Sequence, residues 1–205
     1  MTTVSAIRGL GLRGLIVVFV ATLVLAACGR EDARHKFQST DITGVEWGKD
    51  FHLTDHSGTP RSLADFRGKV VVVYFGYTHC PDMCPMTLAN MAQAVERLED
   101  DGQRVQGLFV TVDPARDTAA VLAQYVPAFH PTFLGLYGNA ETIAATAKDF
   151  KVFYAAQQPN KKGVYTVDHN SAVFVFDTTG RLRLYVNTDT EVEVLVHDLK
   201  VLLKE

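Results

Sequence analysis

Two apolar segments constrain the fold of this chain more than any other feature of its sequence. Val70 to Phe75 is an unbroken run of β-branched and aromatic residues, and Val105 to Val112 is the next strand-like segment. Such runs are typical of strands that are buried on both faces of a sheet. Between them, Met91, Val95 and Leu98 recur at helical spacing. The sequence therefore predicts strand, helix and strand within one α/β sheet.

The rest of the pattern extends this alternation and predicts a mixed central sheet flanked by helices. We expect a short strand that runs into a turn near residues 51–58, and the helix after the first long strand should end at Asp101-Gly102. The other predicted elements are helices over 117–125, 141–150 and 191–203, a strand over 152–156, and a hairpin of strands over 172–177 and 182–186. Pro127 and Pro131 predict a loop. Residues 45–205 are expected to form one domain.

The N-terminus has the pattern of a secretory signal peptide. Residues 1–27 contain two arginines, no acidic residue and an apolar run over 15–27, which is short of the roughly 20 residues that a membrane span needs. Cys28 follows Leu25-Ala26-Ala27, and this segment resembles the lipobox of bacterial lipoproteins. The resemblance implies that Cys28 is lipidated and becomes the mature N-terminus.

Lipidation would tether the domain to a membrane. Two or more acyl chains suffice for stable anchoring, and the charged, polar residues 28–44 are expected to form a flexible tether. The predicted location is the bacterial cell envelope, with the domain outside the cytoplasm and facing the periplasm. The chain has 205 residues, a formal net charge of −3 and no long basic stripe, which argues against a nucleic-acid partner. Of its three cysteines, only Cys80 and Cys84 then remain free.

The cysteine pair lies where the first long strand is followed by a helix. Pro81 and Pro85 fit the first turn of a helix, so the helix is predicted to begin within 80–85. The helix N-terminus should lower the pKa values of the Cys80 and Cys84 thiols. Their spacing predicts that both sulfurs project from one helical face. The pair could form a disulfide or bind one metal ion.

A third donor would distinguish metal binding from redox chemistry, and His169 is the best candidate. It stands in a predicted loop just before a strand, where a histidine is more often a solvated or hydrogen-bonded residue than a ligand. Two thiolates and an imidazole suit Cu(I), with Cu(II) accessible when a weak ligand joins. Zinc is less favoured, because a structural zinc site normally has four ligands. His79 should point away from the pair, and Met83 and Met86 are not expected to ligate.

Three segments together resemble the signature of the Sco/SenC proteins. They are residues 77–85 (YTHCPDMCP), 112–118 (VDPARDT) and 165–169 (YTVDH). The resemblance implies a thioredoxin-like fold and one copper ion per chain, held by Cys80, Cys84 and His169. It also implies that the protein delivers copper to, or reduces the cysteines of, the dinuclear copper site of cytochrome c oxidase during assembly. An upstream copper donor or a thiol reductase would be a further partner.

Other functions remain open at this point. Cys80 and Cys84 could form the redox-active pair of a general thiol–disulfide oxidoreductase, or the protein could sense copper or redox state. A peroxidase is disfavoured, because Thr78 stands two residues before Cys80, whereas peroxiredoxins place threonine three residues before their reactive cysteine. Asp168 either orients His169 or adds negative charge beside the ligands, or else it caps a turn.

The segment that precedes the second predicted helix is interpreted as structural. Asp113, Arg116 and Asp117 are expected to hold a loop together through charge pairing and helix capping. Tyr77 and Phe129 are expected to pack in the core, although they could instead face a partner.

Overall fold

A computed structural model describes residues 37–170 and 172–205 of the chain. The predicted signal peptide, the predicted lipidation site at Cys28 and the tether up to residue 36 lie outside the described residues. Within the described residues, no helix is both long enough and apolar enough to span a membrane.

Strands and helices alternate along the described chain. The strands are β1 (Thr40–Asp41), β2 (Leu53–Asp55), β3 (Pro60–Arg61), β4 (Val70–Gly76), β5 (Val105–Thr111), β6 (Leu134–Tyr137), β7 (Tyr154–Ala156), β8 (Val167–His169), β9 (Ala172–Phe176) and β10 (Leu182–Asn187). The helices are α1 (Met83–Glu96), α2 (Ala119–Tyr125), α3 (Ala140–Asp149) and α4 (Val192–Leu202). Short 3-10 helices span Leu63–Phe66 and Glu99–Arg104.

Eight strands form one mixed sheet, in the order β1-β10-β9-β4-β5-β6-β2-β3. At its centre, β4 pairs in parallel with β5, and β5 pairs in parallel with β6, while β9 runs antiparallel to β4. All seven residues of β4 and all seven of β5 are buried, as expected of strands covered on both faces. The predicted mixed sheet with flanking helices is confirmed. Strands β7 and β8 form a separate two-stranded sheet.

The structure differs from the sequence prediction at several elements. Helix α1 ends at Glu96 instead of continuing to Asp101, and the chain then enters a 3-10 helix in which Glu99 adopts a positive φ of 53°. Strands β6 and β8 lie where only loops were expected. The C-terminal hairpin agrees with the prediction, since β10 pairs antiparallel with β9.

The packed part of the chain begins before the predicted domain boundary at residue 45. Strand β1 pairs antiparallel with β10, through Thr40 opposite Tyr185. The backbone N–H groups of Gln38 and Ser39 each donate to the carboxylate of Asp198 in α4, at 2.8 Å. The Asp198 side chain is fully buried, so these bonds satisfy a carboxylate that water does not reach.

Candidate metal centre

The cysteine segment follows directly from the central strand β4. Gly76 ends this strand, and a Cβ added there would stand 2.9 Å from the Cys84 sulfur and 2.8 Å from the Phe109 ring. Both distances are too short for any real side chain. Glycine is therefore required for the Cys84 thiol to pack against the end of the strand.

Cys84 lies in the first turn of α1 and is completely buried. Burial raises the pKa of its thiol to about 12, although the Tyr74 hydroxyl donates a hydrogen bond to the sulfur at 3.5 Å. The prediction that the helix N-terminus lowers this pKa is wrong for Cys84. A helix dipole contributes at most about 2 kcal/mol, which is less than the cost of burying an unpaired charge. Desolvation therefore outweighs the dipole.

Cys80 lies outside α1, in the turn that precedes it. The helix begins at Met83, with Asp82 as the N-cap residue. Their spacing predicts that the two cysteines share one helical face, and this prediction is wrong because only Cys84 lies within the helix. The turn nevertheless brings them together, because the backbone N–H of Cys84 donates to the Cys80 sulfur at 3.4 Å. Cys80 is half-buried, so the pair combines one accessible thiol and one inaccessible thiol.

His169 is the last residue of β8, where it pairs with Tyr154 of β7, and not part of a loop. Its Nε2 atom stands 3.7 Å from the Cys84 sulfur. Its Nδ1 atom lies 3.3 Å from the backbone carbonyl of Asn170, so we assign the proton to Nδ1 and the free lone pair to Nε2. Burial lowers the pKa of His169, which favours the neutral imidazole that metals bind.

Two aromatic rings enclose the imidazole of His169. The ring of Tyr74 meets it edge-on at 6.3 Å between centroids, and the ring of Tyr77 does so at 6.0 Å. Tyr74 and Tyr77 are both buried, which agrees with the expectation that Tyr77 packs in the core. These rings restrict the imidazole to the side of the site on which the Cys84 sulfur lies.

The spacing of Cys84 and His169 fits two ligands of one metal ion. Taking the zinc distances of about 2.3 Å to sulfur and about 2.0 Å to nitrogen as a guide, two ligands of one ion stand about 3.5 Å apart at a tetrahedral angle and about 3.7 Å apart at a trigonal angle, and the distance found here is 3.7 Å. Within the described part of the chain, no group of three or more His, Cys, Asp or Glu side chains is already gathered to hold a metal. Cys84 and His169 nevertheless form a close pair, and the Cys80 sulfur lies beside it through its contact with the Cys84 amide.

The remaining candidates do not face this pair. The side chain of His79 is 54% exposed, and its Nδ1 atom lies 3.1 Å from the Thr78 hydroxyl. Met86 is exposed. The exposed Asp168 carboxylate accepts a hydrogen bond from Gln157, and no hydrogen bond joins it to His169 among the described contacts. The Asn170 carbonyl, and not Asp168, is thus the hydrogen-bond partner of the imidazole.

The loop between β5 and α2 contributes contacts to the site that the sequence analysis missed. The buried Asp117 carboxylate accepts three hydrogen bonds, from the Thr78 amide at 3.0 Å, the Thr78 hydroxyl at 2.6 Å and the Thr111 hydroxyl at 2.7 Å. Thr78 stands two residues before Cys80, so Asp117 fixes the start of the cysteine segment. The motif predicts charge pairing within this loop, and the ion pair of Arg116 with Asp113 is present. The motif alone did not indicate that the loop reaches the cysteines.

Comparisons with known proteins agree with this architecture. The family described as SCO1/SenC matches residues 39–204. A mitochondrial SCO2 homolog from Mus musculus is 42% identical over 153 residues, which cover 74% of this chain but only 60% of that protein.

Two solved structures share the fold. Bradyrhizobium japonicum ScoI, solved with copper bound, is 34% identical, with a TM-score of 0.69 and coverage of 75% of this chain and 98% of that one. Apo Sco1 from Thermus thermophilus is 41% identical, with a TM-score of 0.74 and coverage of 83% and 99%. The predicted thioredoxin-like fold is thereby confirmed. This chain belongs to the SCO1/SenC family.

Proposed function

We propose that this chain is a copper metallochaperone that binds one copper ion through Cys80, Cys84 and His169. It would deliver the ion to the dinuclear copper site of cytochrome c oxidase during assembly of that enzyme. The observation that carries the proposal is the 3.7 Å contact between His169 Nε2 and the Cys84 sulfur, two residues that are 85 positions apart in the chain. Thiolate and imidazole donors are the set that Cu(I) prefers, and a related ScoI has been solved with copper bound.

The unequal burial of the two thiols supports transfer. An acceptor thiolate can approach the copper beside Cys80, which is half-buried, but not beside Cys84, which is completely buried. The acceptor's thiolates would therefore replace Cys80 first and Cys84 last, with the copper remaining Cu(I) throughout. Because burial raises the pKa of Cys84 to about 12, its thiolate takes up a proton when the metal leaves. That protonation opposes rebinding and favours release.

The cellular placement is part of the same proposal. The lipobox-like segment before Cys28 supports a lipid-anchored protein in a bacterial envelope, with its domain facing the periplasm. The partner would be the copper-site subunit of the oxidase, and an upstream copper donor would load the site. Replacing Cys28 with serine tests this placement. We expect the variant to lose incorporation of a labelled fatty acid, whereas unchanged incorporation would exclude lipidation at Cys28.

Metal analysis of the protein purified with its thiols reduced tests the copper site. We expect one copper per chain, no bound copper after Cys80→Ser, and both weakened copper affinity and failed oxidase assembly after His169→Ala. His79→Ala is the matched control, because His79 adjoins Cys80 but bonds to Thr78, and this variant should behave like the wild type. Oxidase assembly that survives His169→Ala unchanged would contradict the proposal.

A second candidate, reduction of the oxidase cysteines, is favoured by the pairing of an accessible thiol with a buried one. The Cys80 thiolate would attack the acceptor disulfide and form a mixed disulfide, and the Cys84 sulfur would then attack Cys80. Two electrons and two protons pass to the acceptor, Cys80 and Cys84 become a disulfide, and a thiol reductase must restore the pair. This function does not need His169, so His169→Ala should keep most single-turnover reductase activity while losing copper affinity.

A further inference from the structure

We infer that Arg116 is a positioning residue, which holds the histidine segment (residues 165–169) against the cysteine segment (residues 77–85). The inference rests on the proposed copper site and extends it to a residue that binds neither the metal nor the sulfurs. The loop of residues 113–117 contacts both segments, through different side chains. Its central group is the Arg116 guanidinium, which lies between an aromatic ring of each segment.

Arg116 contacts the histidine segment at Tyr165, four residues before His169. The guanidinium carbon lies 3.6 Å from the centroid of the Tyr165 ring, and Nη1 donates to the Tyr165 backbone carbonyl at 2.9 Å. The Tyr165 hydroxyl in turn donates to Asp113 at 2.9 Å, and Asp113 forms an ion pair with Arg116. The ring, the backbone carbonyl and the hydroxyl of Tyr165 are thus all in contact with the loop of residues 113–117.

The loop of residues 113–117 also contacts the cysteine segment, at Tyr77 and Thr78. The Arg116 guanidinium lies 5.6 Å from the centroid of the Tyr77 ring, and that ring packs edge-on against the imidazole of His169. The neighbouring Asp117 carboxylate binds the amide and the hydroxyl of Thr78. A continuous chain of contacts therefore joins the two segments, from Tyr165 through Arg116 and Tyr77 to the imidazole.

The chemistry of Arg116 suits this positioning role better than a role in stability alone. Its Nη2 atom is buried without a hydrogen-bond partner among the described residues, which costs free energy. A planar guanidinium can stack face-on against a ring while donating several hydrogen bonds in its own plane, whereas a lysine ammonium is a compact charge with no flat face to stack. The position thus needs the shape of arginine and tolerates an unsatisfied donor to obtain it.

The main sheet contacts the His169 imidazole through Tyr74 of β4, and the second ring against the imidazole is Tyr77, which Arg116 contacts. Strand β8 is three residues long, and it pairs with β7 and not with the eight-stranded sheet. Holding a ligand in its binding geometry before the metal arrives reduces the entropy that binding must remove. Loss of the Arg116 contacts should therefore weaken copper binding through His169 while leaving the contribution of the two thiols intact.

Arg116→Lys in the full chain tests the inference, with Tyr165→Leu as a second variant that removes the ring but keeps the backbone carbonyl. In the metal-free protein, we expect NMR to show loss of the proximity between the His169 and Tyr77 rings. Copper affinity, measured by competition with a Cu(I) chelator, should fall about 10- to 100-fold, as is typical for groups that orient metal ligands. Arg97→Lys is the matched control, because Arg97 pairs with the exposed Glu193 on the surface; it should change neither readout.

A double-mutant cycle separates positioning from general destabilisation. If Arg116 acts through His169, then Arg116→Lys should cause no further loss of affinity in a His169→Ala background. Equal losses in both backgrounds, or an unchanged ring contact in the folded single variants, would overturn the inference. The ring contact is read without metal, so it tests the role of Arg116 even if the wild-type protein binds no copper. That last result would contradict the proposed function instead.

Discussion

The two segments that carry the candidate ligands are built very differently. Cys84 follows β4, a seven-residue strand that is wholly buried and pairs with β5 on one side and β9 on the other. His169 ends β8, a three-residue strand whose pairing partner in the described structure is the equally short β7. The Cys84 thiol is therefore held by the main sheet, whereas His169 lies on a strand of the small sheet and meets the core through the rings of Tyr74 and Tyr77. Under the proposed function, capture and release of copper would be helped by joining one fixed ligand, Cys84, to one adjustable ligand, His169.

The largest expected effects come from replacing the two cysteines, and they sharpen this contrast. Cys80→Ser and Cys84→Ser should each abolish stoichiometric copper binding, since both remove a soft donor. Only Cys84→Ser should also reduce the free energy of unfolding, by about 1–3 kcal/mol, because it places a hydroxyl in a fully buried site. Metal analysis and denaturant titration measure the two effects. Equal destabilisation by both substitutions would contradict the view that Cys84 alone belongs to the core.

Thiol alkylation gives the next largest effect. Because burial raises the pKa of Cys84 to about 12, the metal-free protein should alkylate first at Cys80. At pH 7.5, Cys84 should react more than about 10³-fold more slowly than a free cysteine of pKa about 8.5. Only the thiolate reacts, so the Cys84 rate should rise about tenfold per pH unit up to its pKa. Mass spectrometry of proteolytic peptides measures both rates, and a Cys84 rate that levels off near pH 9 would show that burial does not control this thiol.

The sequence predicted the region around β4 well because its signals are local. The apolar run of β4 and the helical spacing of Met91 and Val95 each specify an element without reference to distant residues. Strand β6 was missed because Gly135 interrupts its short apolar run. The structure explains this glycine, since a Cβ there would stand 3.0 Å from the Leu122 Cβ in α2. The helix packs closely on the strand at this point, and a single sequence does not reveal that contact.

The site was predictable only in part, for the same reason. Cys80 and Cys84 are close in the chain, whereas His169 entered the predicted set through a family resemblance and not through spacing. Burial of Cys84 reversed the pKa shift expected from the helix terminus, and burial depends on how the whole core packs around this thiol. The grip of Arg116 on Tyr165 spans 49 positions, so its motif indicated charge pairing within the loop and nothing further.

Amide hydrogen exchange tests whether the backbone of β7 and β8, beside His169, opens more easily than that of β4, before Cys84. The amides of β7 and β8 should exchange at least about 100-fold faster than those of β4, because short strands outside the main sheet open at lower free energy. Mass spectrometry or NMR of the metal-free protein gives these rates. Copper should then slow exchange in β8 more than in β4, since the metal would join His169 to Cys84. Protection of β8 equal to that of β4 without metal would remove the distinction between fixed and adjustable ligands.

The smallest expected effect concerns two buried tyrosine hydroxyls and tests how much one hydrogen bond changes the pKa of Cys84. The Tyr74 hydroxyl donates to the Cys84 sulfur and lowers its pKa against the effect of burial. Tyr74→Phe should raise this pKa further and slow Cys84 alkylation about fivefold, the equivalent of one hydrogen bond of about 1 kcal/mol. Tyr125→Phe is the matched control, because the buried Tyr125 hydroxyl has no hydrogen-bond partner among the described residues. Its loss should leave the Cys84 rate unchanged and the free energy of unfolding unchanged or slightly higher. Equal slowing by the two substitutions would mean that ring packing, and not the Tyr74 hydrogen bond, controls the fixed thiol.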